Sequence, residues 1–319
     1  MRIAHLGHAE LLVRDLPASR EFFTEVMGLF VTAETDEQVY LRAWQDWDHH
    51  TLVLTQAGES SLGHVGWRVS GPDGLAQFER HLEAAGVEVS WVEGSIGHGD
   101  AIRFQTPGAG VPHELYWEVE PFRDPAPKLR SRLPSHPQRF TASGVAPRRF
   151  DHVNFLVNDV AAEQDWTSRV LGVQHNYYVV GEGEARLGSW LSNTNISHEI
   201  AFMRNRLQDG DNLHHVAYFL DSPDQLMRAA TLLVDAGCTL EWGPGSHGTS
   251  GAIFLYALEP SGHRVEVWTG GMLIFAPDWE PLRWDGEIGQ LGLEMWGSAM
   301  PESYLTYGTP LPAAAARVG

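Results

Sequence analysis

Three residues in the C-terminal half have side chains suited to holding one metal ion: His152 in DHVNF, His215 in LHHVAYF and Glu266 in GHRVEVW. Two neutral imidazoles and one carboxylate, with three open positions left on one face, are the ligand set of a non-haem Fe(II) centre. The intervals between the three carry no information by themselves, because ligands on different strands need no fixed spacing. A lone strand histidine is more often a satisfied core residue than a ligand. What weighs against that reading is that each of the three lies in a β-type run, and each run occupies the equivalent place in a repeated unit.

The elements that must position these residues form that repeat. GHAELLVRDLPASREFFTEVMGL, from Gly7, aligns without a gap with DHVNFLVNDVAAEQDWTSRVLGV, from Asp151, pairing His8 with His152, Val13 with Val157, Asp15 with Asp159 and Gly28 with Gly172. GHVGWRVSGPDGLAQFERHLEAAG, from Gly63, aligns with HHVAYFLDSPDQLMRAATLLVDAG, from His214, pairing His64 with His215, Pro72 with Pro223 and Gly86 with Gly237. HELYW, from His113, aligns with VEVW, from Val265, and pairs Glu114 with Glu266. Within each half, two shorter modules resemble each other. Each reads as a strand, a helical stretch such as 17–27 or 224–236, a glycine where a left-handed cap would sit, and alternating runs such as 87–92 and 252–258. The expected fold class is α+β: βαβββ four times, in two tandem domains of paired modules at 1–121 and 150–271. Residues 122–149, rich in Pro, Ser and Arg, read as a linker. It carries Arg123, Lys128, Arg130, Arg132, Arg139, Arg148 and Arg149 against one acid, Asp124, and reads as an arm over the protein's own acidic surface or a neighbouring subunit. Residues 272–319 read as a C-terminal extension over the site, and its last stretch, LPAAAARVG, as poorly ordered.

Composition bounds the function. The 319 residues suit two domains at roughly 150 each, and 43% apolar with 20% charged argues against disorder. With 22 basic against 41 acidic residues the net charge is −19, which repels phosphate backbones and anionic membranes, so nucleic acid and membrane are not expected partners. No apolar run approaches the roughly 20 residues of a membrane span, and the N-terminus lacks a signal-peptide pattern, so a cytoplasmic protein is expected. The single cysteine, Cys238, has no partner for an intrachain disulfide and reads as a core residue. The unusual count is 16 histidines, the commonest metal-binding side chain.

The segment GSHGTSGAIFLYALEPSGHRVE, from Gly245 to Glu266, resembles the signature of the type I extradiol ring-cleaving dioxygenases of the vicinal oxygen chelate (glyoxalase, bleomycin-resistance) superfamily. Gly245, His247, Leu255-Tyr256, Glu259-Pro260, Gly262 and Glu266 carry the likeness. It extends over the whole chain and is closest to catechol and homoprotocatechuate 2,3-dioxygenases. The resemblance implies that the second domain is catalytic and the first is not. It implies that His152, His215 and Glu266 bind Fe(II), or less often Mn(II), and that a catechol and O2 are the substrates. His215 is preferred to His214 because DHV aligns with the second histidine of HHV, and strand alternation then sends His214 to the opposite face. His198, in SHEIAF, matches the family's acid-base histidine. Tyr256 and His247 match groups around the substrate oxygens, and Asn154 and Trp190 match residues of the dioxygen and substrate pocket. Family habit and a tryptophan-rich tail favour a homo-oligomer, with a tetramer among the expected states.

The first half offers a rival set, His8, His64 and Glu114, with His50 opposite His198 in the alignment. Gln105 aligns with Tyr256 and Glu10 with Asn154, so the expectation is a relic. On the substrate side, homoprotocatechuate enzymes carry an arginine before the G-P-G that precedes His247. Here the residue is Trp242, Ser246 stands at another such place, and Arg283 is the only basic residue between Gly270 and Ala316. A neutral catechol is therefore expected, either catechol itself or an alkyl- or halo-catechol, with Trp242 as an apolar or stacking wall. A homoprotocatechuate-type or bicyclic catechol is the alternative. Two other classes compete: a metal-dependent isomerase or lyase of the same superfamily, which usually wants a second carboxylate, and a non-catalytic ligand trap, which needs no triad.

Overall fold

The computed structural model describes residues 1–122, 126–141 and 143–312. Arg123 and Asp124 of the linker, and the C-terminal stretch from Ala313 onward, lie outside the described residues. Four modules follow one another. The first is β1 (Ile3–Val13), α1 (Leu16–Glu21), β2 (Phe30–Glu34), β3 (Gln38–Arg42) and β4 (Leu52–Gln56). The second is β5 (Ser61–Val69), α2 (Gly74–Ala84), β6 (Ser90–Val92), β7 (Ala101–Gln105) and β8 (Pro112–Tyr116). The third is β9 (Arg149–Val157), α3 (Val160–Trp166), β10 (Gln174–Val180), β11 (Arg186–Ser192) and β12 (Ile200–Arg204). The fourth is β13 (Asn212–Phe219), α4 (Pro223–Asp235), β14 (Leu240–His247), β15 (Ala252–Leu258) and β16 (Arg264–Gly270).

Local sequence sets the helix ends. Asp15 and Asp159, paired in the repeat, each accept a hydrogen bond from the backbone N–H three residues on, capping α1 and α3. Ser222 caps α4, with Pro223 in its first turn, and Leu226, Ala229 and Leu233 form its buried stripe. The expected helix at 17–27 is α-helical only to Glu21 and continues as a π turn over Phe22–Val26. The expected strand at 87–92 begins only at Ser90. Gly86 takes φ +77°, and the Val87 N–H is spent on the Leu82 carbonyl to close α2, so it cannot join a ladder.

The first two modules build an eight-stranded sheet, ordered β2-β3-β4-β1-β5-β8-β7-β6. The last two build the equivalent sheet, extended to eleven strands by β17 (Leu282–Trp284), β18 (Trp296–Gly297) and β19 (Thr309–Pro310). A short helix, α5 (Gly286–Leu293), lies between β17 and β18. One apolar core runs through both halves, from Leu11, Phe23 and Trp67 to Phe155, Phe202 and Leu255. The signature residue Glu259 ties the halves together, accepting from Ser19 Oγ at 2.6 Å and from the His263 N–H at 3.0 Å. The end of the linker lies on the protein's own surface, where Arg148 pairs with Asp221. No helix among the described residues is long and apolar enough to cross a membrane.

Candidate metal centre and active site

The sheet itself assembles the triad. Strands β9, β13 and β16 are adjacent, and in their register His152, Ala217 and Glu266 form one row. His215 is two residues before Ala217 on the same strand and so shares its face. The small side chain of Ala217 leaves the space between the two outer residues to their own functional groups. His152 Nε2 and His215 Nε2 are 3.2 Å apart, and they lie 2.9 and 3.1 Å from Glu266 Oε2. Donors held about 2.1 Å from one ion at right angles are spaced about 3.0 Å, so all three edges fit a single divalent ion. All three residues are buried.

Groups behind the triad orient it. Asp151 Oδ2 is 3.0 Å from His152 Nδ1 and accepts its proton, leaving Nε2 as a lone pair toward the centre. His214 performs the same service for His215. Its Nε2 donates to the Tyr304 carbonyl at 2.6 Å, so its Nδ1 is a lone pair, and that atom is 2.5 Å from His215 Nδ1. His215 therefore carries its proton on Nδ1 and presents Nε2 inward. This corrects the expectation that alternation sends His214 to the opposite face. A bulge between Leu213 and His215 breaks the alternation and turns both rings together. Replacing His214 with phenylalanine is expected to weaken metal binding by about 10- to 100-fold, read by titration of the metal-free protein. An unchanged affinity would show that His215 needs no such partner.

The electrostatics suit a cation. Burial opposes charge on Glu266, but His215 and His152 outweigh it and hold the carboxyl well below its ordinary range. Burial also opposes charge on His152, yet hydrogen bonds to Asp151 and Glu266 raise it to about 9, while burial lowers His215 to about 4. One positive charge is thus favoured inside the triad, and a proton on His152 Nε2 and a divalent ion compete for that place.

Around the triad lies a small chamber whose lining includes Asn154, Trp190, His198, His247, Tyr256 and Tyr304. Every expected site residue except Trp242 borders it. The Asn154 Oδ1 atom is buried with no hydrogen-bond partner. His198 stacks obliquely on His152, with ring centres 4.1 Å apart, and its Nδ1 meets Tyr177 Oη at 2.8 Å and Ser197 Oγ at 3.0 Å. Burial, with His152 beside it, lowers His198 well below the usual histidine range, so it rests neutral. A directed chain runs on the other wall. His247 Nδ1 donates to the Leu293 carbonyl at 2.6 Å, so its Nε2 accepts from Tyr256 Oη at 3.1 Å, and Tyr256 in turn accepts from Tyr304 Oη at 3.1 Å. Trp242 lies one layer back, stacked parallel to Tyr256 with its indole N–H bound to the Ser298 carbonyl. It backs the tyrosine rather than forming the wall. Sequence reasoning also missed Asp151, Tyr177 and Tyr304. Only Asp151, adjacent to His152 in the chain, left a local signal.

A second, wider cleft shares Trp190 and Leu293 with the chamber. Val179, Leu187, Met203, Met300 and Leu305 make it largely apolar, while Arg204 and Arg206 also border it. Arg283 is turned away, bound to Glu184 and Asp285.

A tandem βαβββ fold with two histidines and a glutamate converging on one sheet defines a class of metal-centred proteins. The chain belongs to the Glyoxalase/Bleomycin resistance protein/Dioxygenase superfamily, whose model matches residues 5–125 and 149–267. Among its relatives, a metapyrocatechase of Geobacillus stearothermophilus is 39% identical over 97% of this chain and 94% of its own. A manganese-dependent 2,3-dihydroxybiphenyl 1,2-dioxygenase of Geobacillus genomosp. 3 is also 39% identical, over 93% of this chain and 95% of its own. Homoprotocatechuate 2,3-dioxygenase from Brevibacterium fuscum, solved with 3,4-dihydroxyphenylacetate, superposes with a TM-score of 0.85 at 27% identity, covering 97% of this chain and 93% of that one.

Proposed function

We propose that this chain is an extradiol dioxygenase that opens a catechol ring beside the diol, placing both atoms of O2 in a 2-hydroxymuconic semialdehyde. The observation that supports this most is the triad of His152, His215 and Glu266, closed by protein on one side and facing a chamber with proton-handling groups on the other. A divalent ion held there, Fe(II) in this reading and Mn(II) as the alternative, would supply chelation of both diol oxygens and an electron path from ring to oxygen.

The protein's own groups handle the protons. A proton leaving the diol passes to Tyr256 Oη as Tyr256 gives its own to His247 Nε2, along the direction fixed by the Leu293 carbonyl. His198 faces the chamber from the opposite wall. With both hydroxyl partners on Nδ1, it offers Nε2–H to oxygen and can donate that proton as the ring opens only as Tyr177 Oη passes its own proton to Nδ1, which keeps the imidazole neutral. Asn154 and Trp190 bound the space between the two walls. Among the described residues Glu266 is the one carboxylate turned to the centre, since Asp151 is spent behind His152, which disfavours isomerase chemistry needing two.

The substrate in this reading is neutral. The lining of the chamber includes no lysine or arginine, and the adjoining apolar cleft suits hydrogen, alkyl, halogen or aryl substituents. An acidic side chain would leave a charge unpaired near the centre. We expect kcat/KM for catechol or 3-methylcatechol to exceed that for 3,4-dihydroxyphenylacetate by about 10- to 100-fold. A preference for the acid would instead assign Arg204 or Arg206 as its partner. The reaction as a whole is tested by adding catechol and Fe(II) in air. A yellow product and oxygen uptake are expected, and neither colour nor uptake with any monocyclic or bicyclic catechol would remove the reading. A cytoplasmic homo-oligomer completes it.

A further inference from the structure

The first half holds a second convergence of ligating atoms that this reaction does not use. His8 on β1, Gly66 on β5 and Glu114 on β8 form a row, as His152, Ala217 and Glu266 do in the second half. His64 precedes Gly66 by two residues. His8 Nε2 and His64 Nε2 are 2.8 Å apart, and each is 3.5 Å from Glu114 Oε1. Outer groups again take the far atoms. Glu10 Oε2 stands 2.8 Å from His64 Nδ1, an ion-pair distance without hydrogen-bond geometry, and Arg103 Nε donates to Glu114 Oε2 at 2.7 Å, leaving Oε1 toward the histidines. Arg103 is paired with Glu114 in register, as Tyr256 is with Glu266, so Arg103 and not Gln105 is the counterpart of the tyrosine.

Two further imidazoles border the cluster. Ligating atoms of His8, His50 and His98 also lie within 4.8 Å of one another, and His8 Nδ1 and His98 Nε2 are buried without a hydrogen-bond partner. Glycines make the room. A Cβ on Gly66 would stand 2.0 Å from the His8 ring, and one on Gly63 would stand 2.3 Å from the Glu10 carboxylate. Stacking of His50 on His98 at 4.4 Å, and of His98 on Tyr116 at 4.3 Å, packs this side with rings.

We propose that this cluster is a second metal site, closed and structural, for a divalent ion of the zinc type. His8, His64 and Glu114 are its ligands, and His50 and His98 flank the site beside His8. Imidazole and carboxylate donors in a tetrahedral site suit Zn(II): the two 3.5 Å edges approach the roughly 3.4 Å edge of a tetrahedron with ligands about 2.1 Å from the ion, and the 2.8 Å His8–His64 edge must open to reach it. Such an ion would cross-link β1, β5 and β8, so its binding would add to the stability of the first half. The competing arrangement is a buried charge network in which a proton, not a metal, balances the second carboxylate.

The test uses the full-length His152→Ala/Glu266→Ala variant, which removes the second-half ligands and leaves the first half intact. Stripped with chelator and dialysed against Zn(II) alone, it is expected to hold one zinc per chain and to melt at a higher temperature than when stripped. Adding His64→Gln is expected to remove that zinc with the far-UV circular dichroism unchanged. A double variant that holds no zinc overturns the proposal, as does zinc retained after His64→Gln. Should His64→Gln fail to fold, zinc-edge anomalous diffraction from the double variant decides: an ion among β1, β5 and β8 supports the site, and one elsewhere overturns it. Should the double variant itself fail to fold, the zinc-dialysed wild-type chain decides, with two ions expected and one overturning the proposal.

Discussion

Glu266→Gln is expected to strip the ion from the second half and to lower turnover of catechol by about a thousand-fold. Among the described residues Glu266 is the one carboxylate that faces the centre, and its negative charge is held in place by His152 and His215 despite burial. Glutamine keeps the size but loses the charge, leaving a divalent ion among neutral donors. Breaking a buried charge interaction from one side costs about 3–5 kcal/mol, and each 1.36 kcal/mol is about tenfold. Metal content after dialysis and oxygen uptake with catechol measure the two consequences together. Full metal retention with activity within tenfold of the parent would sink the assignment of Glu266 as a ligand.

His198→Asn separates chemistry from metal binding. Lost proton transfer lowers kcat by about 10²- to 10⁴-fold, while metal content is expected to stay as in the parent because His198 contributes to none of the three ligand edges. The structure also says how the histidine is prepared. Burial keeps Tyr177 as a hydroxyl well above its ordinary range, so it donates to His198 Nδ1, and the imidazole proton is left on Nε2. Single-turnover kinetics with catechol read the loss directly. A variant with unchanged kcat would move the proton-transfer role elsewhere, and one that lost its metal would make His198 a structural support of His152.

The sequence alone determined the repeat, the four modules and the triad. Each rests on residue types that recur at matched places: Asp15 and Asp159 as caps, Gly28 and Gly172 after the helices, and His8, His64 and Glu114 against His152, His215 and Glu266. Each such feature lies within one short segment, and segment-by-segment alignment of the two halves preserves it. Only the tertiary structure decided the surroundings of the site. His214 faces His215 and not the far side because a bulge breaks strand alternation, and Arg103 replaces Gln105 as the counterpart of Tyr256 because cross-strand register, not alignment offset, sets the pairing. Trp242 stands behind Tyr256, where Tyr304, arriving from the C-terminal extension, packs against both. These are outcomes of register, bulges and long-range packing. A one-residue slip moves a side chain to the other face of a sheet, and residues distant in the chain meet only once the sheets have formed.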